Sequence, residues 1–406
     1  MKSRVSLQDV QQTVRVARWG FVYSLQFTII KYFANELGYS ASKLKPMSRI
    51  ASFAILIAFF TLGAGAQDGT SKITGEADRL QNSVKEGGQG QMAELAKNIN
   101  GLATDTKTAV KAGRTYLGLE TLGRAYDLAG GLYEAQEKDA AAGNSLSAFE
   151  SEWGKVNLEL TALDEKARGR DWSKSPAAVR ALAETAQGRT LTLMEGGRGF
   201  ATATKPSDGL FYVGEARGEA DFSAFLYKLG TSRPGAAVRL RSVLPEIEAL
   251  QGKTNAAFQP PRSIEMHPRF IALNSTLKFA RELDSARDYA GALYMYLEAV
   301  RHYGMLEATA AEGEKQARLR NTLNEELNKN SASRNDDSIL RIFLERVSGY
   351  LSKSEGEAPT ADEWKATQVV LEQVIPAYYA ALKPAAPLQQ RAGRTATLTL
   401  VRWPYT

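Results

Sequence analysis

Apolar positions in this chain recur mainly at steps of three and four. Phe149, Trp153, Val156, Leu160 and Leu163 follow one another in this way, as do Ile339, Ile342, Phe343, Val347 and Leu351. Each set predicts a helix with one core-facing stripe. No proline interrupts the stretches from Gln67 to Ser175 and from Arg269 to Ala358, and their Ala, Leu, Glu, Lys and Arg content favours the same state. Ser175-Pro176 marks one helix start, and Thr360-Ala361-Asp362-Glu363 spells a capping box. Thirteen helices are predicted, over 70–86, 90–104, 106–128, 131–142, 146–168, 176–200, 207–229, 237–254, 269–286, 289–305, 308–329, 336–354 and 361–383. Pro245 is expected to kink or split its segment. Gly130-Gly131 and Gly196-Gly197-Arg198-Gly199 are expected to be kinks or helix ends.

The fold class expected is therefore all-α, a helical-hairpin repeat or solenoid-like array. An N-terminal helical region, 67–258, meets a Pro-rich linker or corner at 259–268, where Pro260-Pro261 forces extended backbone. A C-terminal helical region, 269–383, follows, and then a tail, 384–406. Within the tail Thr395–Val401 alternates polar and apolar residues, which predicts a short β-strand. Such a strand either docks within the chain, anchored by Trp403 and Tyr405, or is offered to another protein. Arg189–Leu193 alternates similarly but lies inside a predicted helix. Glu307–Asp337, dense in both charge signs, is expected to be a solvated helix plus exposed loop.

From Asp288 to Val300 the chain resembles the second helix of a tetratricopeptide repeat, with Tyr289, Ala292, Tyr296 and Ala299 matching and Ala280 and Leu283 standing in the preceding helix. Leu122-Gly123-Arg124-Ala125-Tyr126, with Gly130 and Ala135, matches the first helix and turn of a second such unit, and Gly214-Glu215-Ala216 with Phe222 and Tyr227 echoes the pattern out of register. Small alanines let paired helices approach while aromatics fill the space beside them. The resemblance implies a concave ligand face lined by the first helix of each pair. Transferred to this chain, that face exposes Arg124 and Asp127 on one helix, and Arg281 and Asp284 on the other. These four are the candidate partner-binding residues.

Residues 47–66 have the parts of a secretory signal peptide: Arg49, an apolar run from Ile50 to Leu62, and small residues at Ala64 and Ala66. The expected product starts at Gln67 and is periplasmic or secreted. Residues 1–46 then read as an extension from a start codon assigned too far upstream, or as part of a long signal or an amphipathic membrane-surface segment. The chain is formally +6, but residues 1–66 hold eight Lys/Arg against Asp9 and Glu36, so the rest carries 43 basic and 43 acidic residues. That balance removes the main support for a nucleic-acid partner.

With no Cys, disulfides, thiolate metal sites and cysteine nucleophiles are excluded, and His267 and His302 are the only histidines. Gly252-Lys253-Thr254 lacks the first glycine of a phosphate loop, since Ile247 stands there. Glu298 and His302, four apart, lack a third metal ligand by spacing, and Glu150/Glu152 and Glu246/Glu248 are expected to be solvated. No catalytic, cofactor or metal residues are assigned and no cofactor is implied. The expected function is an exported, non-enzymatic scaffold that binds a polypeptide or envelope component. The alternative is an enzyme acting on cell-wall glycan with dispersed catalytic carboxylates.

Overall fold

The computed structural model describes residues 64–84, 91–168, 170–172, 175–229, 240–259, 266–309, 311–332, 336–352 and 358–383. Most of the leader, residues 260–265 of the linker and the expected strand at 395–401 lie outside them. The described residues are all-α: α1 (Ala64–Ser83), α2 (Gln91–Lys111), α3 (Thr115–Ala142), α4 (Leu146–Arg168), α5 (Ala177–Ala203), α6 (Pro206–Leu229), α7 (Leu244–Ala257), α8 (His267–Ser285), α9 (Tyr289–Glu307), α10 (Glu314–Ala332), α11 (Ser338–Leu351), α12 (Ala361–Val369) and α13 (Ile375–Leu382). A π-helical turn, Val370–Val374, joins α12 to α13 without a break.

Helix α6 lies at the centre, packed along α3 on one side and α5 on the other, with α4 also against it. Glycines make these contacts close. Gly130 of α3 meets Gly214 and Gly218 of α6 backbone to backbone, and Gly197 of α5 meets Gly209 of α6 in the same way. The expectation that Gly130-Gly131 and Gly196-Gly197 end or kink helices is therefore corrected. Both pairs sit inside continuous helices, because backbone approach outweighs the roughly 1 kcal/mol propensity cost of each glycine. Pro245 is also reassigned: it occupies the first turn of α7, where its missing N–H costs nothing, and residues 240–243 ahead of it are not helical.

Two long helices are capped by side chains distant in sequence. Neither Arg114 nor Pro176 caps its own helix through a side chain. Instead the Glu345 carboxylate of α11 accepts the N–H groups of Tyr116 (2.8 Å) and Leu117 (3.1 Å) at the start of α3. At the start of α5, Asp336 accepts from Ala177, and the Ser338 hydroxyl accepts from Ala178 at 2.8 Å. These are unpaired helix-terminal donors satisfied by oxygen acceptors, with the carboxylates also matched to the helix dipole. They tie the C-terminal helical region to α3 and α5, so the two regions read from the sequence are joined by buried contacts.

Apolar stripes lie mostly where the spacing places them. Phe149, Val156 and Leu160 of α4 are buried, and so are all five stripe residues of α11. Trp153 keeps a polar handle, its indole N–H donating to the Met194 carbonyl at 2.8 Å. Leu163 is the exception, 36% exposed near the end of α4. Helix α10 is polar, with only Leu319 and Leu323 fully buried. In the α8–α9 hairpin, Ala280, Leu283, Ala292, Tyr296 and Ala299 are buried. The described residues do not show a repeat array: α3 packs most extensively on α6, three helices further along the chain.

Candidate functional site

Glu120, Asp127 and Glu134 stand seven residues apart on α3, so two helical turns bring each acid onto the same face. Each meets an arginine from a different helix: Glu120 meets Arg346 of α11, Asp127 meets Arg189 of α5, and Glu134 meets Arg217 of α6. Against Arg189 of the middle pair a cleft of about 100 Å3 opens between α3, α5, α6 and α9. Helix periodicity supplies its walls: Glu120, Gly123 and Arg124 from α3, Leu182, Thr185, Ala186 and Arg189 from α5, Glu219 and Phe222 from α6, and Tyr294 from α9.

Arg189 lies at the mouth, 47% exposed. It reaches Glu219 at 2.9 Å and Asp127 at 3.6 Å. Glu215, one turn before Glu219, also lies in its field. Three carboxyl groups therefore share one guanidinium. Burial pushes the Glu219 carboxyl up to about 8 although Arg189 opposes it, and burial pushes Glu215 well above the ordinary carboxyl range. Near neutral pH burial therefore favours the protonated form of Glu219. Burial raises Asp127 as well, with Arg189 and Arg124 pulling the other way.

Arg124 differs from the other arginines of the site. It lines the cleft, yet among the described residues no carboxylate stands within ion-pair distance of it. The Thr185 hydroxyl, on the opposite wall, is 7% exposed and has no hydrogen-bond partner. Arg124 is the cleft arginine that makes no ion pair among the described residues, and its charge acts on Asp127 one turn along α3.

Behind the cleft the polar interior continues. Tyr294 donates to Glu120 at 2.9 Å, Arg346 also pairs with Glu298 at 2.5 Å, and Arg301 holds Glu298 at 2.8 Å. Burial opposes charge on Glu298, but Arg346 and Arg301 override it and hold its carboxyl well below the usual range. His302 is driven down to about 3 by burial first and by Arg301 next, so it is neutral. Glu298 thus belongs to an interhelical ion-pair network, with the neutral His302 beside it.

Of the four residues singled out from the sequence, Arg124 lines the cleft, Asp127 pairs with the cleft residue Arg189 without lining the cleft itself, and Arg281 and Asp284 lie elsewhere. Arg281 is exposed on α8. The expectation that Asp284 is exposed is corrected: it is buried, because its carboxylate accepts the Val243 N–H at 2.7 Å and the Ser242 hydroxyl at 2.8 Å ahead of α7. Glu152, expected to be solvated, is also buried, facing Lys138, Lys155 and Arg217. Sequence reading misses Arg189, Glu215, Glu219 and Thr185. The seven-residue spacing of the α3 acids is the one signal that points towards them. No family model matches this chain, and no curated protein or solved structure matches it.

Proposed function

We propose that this chain is an exported, non-enzymatic helical protein whose α3–α5–α6–α9 cleft binds a carboxylate-bearing polypeptide or envelope component through Arg124. The observation that carries this reading is the Arg124 guanidinium, which lines the cleft without an ion-pair partner among the described residues. A guanidinium is always charged and offers a planar fork of donors that fits a carboxylate. The test is affinity capture from an envelope extract. One dominant partner should be retained by the natural chain and lost with Arg124→Ala, while the melting temperature stays unchanged. Full capture by the variant would remove Arg124 from the reading. Export rests on the signal-like segment 47–66, and N-terminal sequencing of exported protein should then begin at Gln67.

The glycan-acting alternative draws support from Glu219, a buried cleft acid pushed up to about 8 that shares Arg189 with Asp127. It predicts glycan turnover that Glu219→Gln abolishes. The size of the cleft weighs against it: about 100 Å3 is less than the roughly 150 Å3 that admits a six-membered ring.

A further inference from the structure

Resting on that reading of Arg124, we infer that the cleft accepts the free C-terminus of a polypeptide ending in a small residue such as alanine or glycine. Size comes first. Sites for whole small molecules span roughly 300–1,000 Å3, and this cleft holds about 100 Å3. It has room for one carboxylate and a few carbons, which is the tip of something longer. Arg189, 47% exposed at the mouth, is placed beside the route the rest of the chain must take.

Charge and hydrogen bonding narrow the class. Arg124 supplies the bidentate donor, and the Glu219 carboxyl, held protonated near neutral pH, adds no repulsion. A phosphate or sulfate would also seek arginine, but it carries three strong acceptor oxygens and wants donors around it. The walls instead present the Glu120 carboxylate, an acceptor only, and the Thr185 hydroxyl, 7% exposed and unpartnered, which can donate or accept. A terminal residue suits this mixture, because its backbone N–H, a donor for Glu120 or Thr185, lies on the same α-carbon as the carboxylate. Leu182 and Phe222 provide the apolar surface that a single methyl group covers. A bulky last side chain exceeds the space.

The test is calorimetric titration of the purified full-length chain with four probes: an acetylated Gly-Gly-Ala peptide with a free carboxylate, its C-terminal amide, the same free-acid peptide ending in Trp, and an amidated Gly-Gly-Asp peptide. Propionate serves as a minimal carboxylate. The free-acid alanine peptide should bind best, with amidation, terminal Trp and Arg124→Ala each weakening it at least tenfold and Thr185→Val weakening it several-fold. Equal binding of the amidated Asp peptide would overturn the inference in favour of a side-chain carboxylate. Arg124-dependent binding of propionate without preference for the alanine terminus would overturn the inference and leave the carboxylate cleft standing. No binding of any probe would overturn both.

Discussion

Gly130 of α3 and Gly214 of α6 meet backbone to backbone. A methyl group on Gly130 would overlap the Gly214 carbonyl oxygen and stand 2.8 Å from the Gly218 nitrogen. Backbone cannot yield as a flexible side chain does, so Gly130→Ala should push the two central helices apart. The expected cost is about 2–3 kcal/mol, near the upper end for overpacked cores. Gly101, also helical, has nothing within 4 Å of the point where a methyl group would stand, and Gly101→Ala should instead stabilise by about 0.5–1 kcal/mol. Denaturant titration of both variants checks the contrast, and equal effects would refute it.

Arg346 and Arg124 give opposite expectations for the same substitution. Arg346 is 9% exposed and holds both Glu120 and Glu298. Arg346→Met leaves buried carboxylates short of a partner and should cost about 3–5 kcal/mol. Arg124→Met breaks no ion pair among the described residues and should change stability by less than about 0.5 kcal/mol. Unfolding midpoints in urea, compared at constant slope, decide both values.

Two buried groups give stability opposite slopes with pH. His302 is held down to about 3 in the folded chain, while an unfolded histidine takes its proton near pH 6.5. Its contribution is complete above pH 6.5 and is lost as pH falls towards 3, at up to about 1.4 kcal/mol per unit. Glu219 is pushed up to about 8, so its contribution is complete below about pH 4.5 and is lost as pH rises towards 8. Glu219→Gln keeps the neutral form at every pH. Its melting temperature should match that of the natural chain at pH 4 and exceed it at pH 8.5. A parallel pair of pH profiles would show that Glu219 is ionised when folded.

The start of α12 offers a local test. The Thr360 hydroxyl accepts the Glu363 N–H at 3.3 Å, and the Glu363 carboxylate accepts the Thr360 N–H at 2.6 Å. Thr360→Ala removes the first bond and should cost about 1 kcal/mol. Thr360→Ser should restore most of it, and thermal melts of the two variants should separate accordingly.

That capping box is legible in the sequence because both partners lie within four residues. The stripe of α11 is legible for the same reason: its period is a property of one helix. Gly130-Gly131 misleads because a glycine pair weakens an isolated helix, and the gain arises only when α6 presents Gly214 and Gly218 to it. The cleft is half legible. Arg124 and Asp127 follow from a helix face, but a carboxylate four residues from another, such as Glu215 and Glu219, looks solvated until Arg189 arrives from α5. Asp284 fails as a surface candidate because the backbone that it caps, at Val243, lies 41 residues away in the chain.

The π-turn at Val370–Val374 carries one residue more than an α-helical path of the same rise requires. Everything after it is rotated by about 100°, the angle between successive helical residues. Tyr378, fully buried beside Asp337, and Ala381 owe their inward direction to that offset. A three-nucleotide deletion within the turn would therefore leave composition and helicity almost untouched while turning α13 about its own axis. It would swing Tyr378 towards solvent and bring a different set of side chains against the body, so that one codon sets the facing of the last described helix.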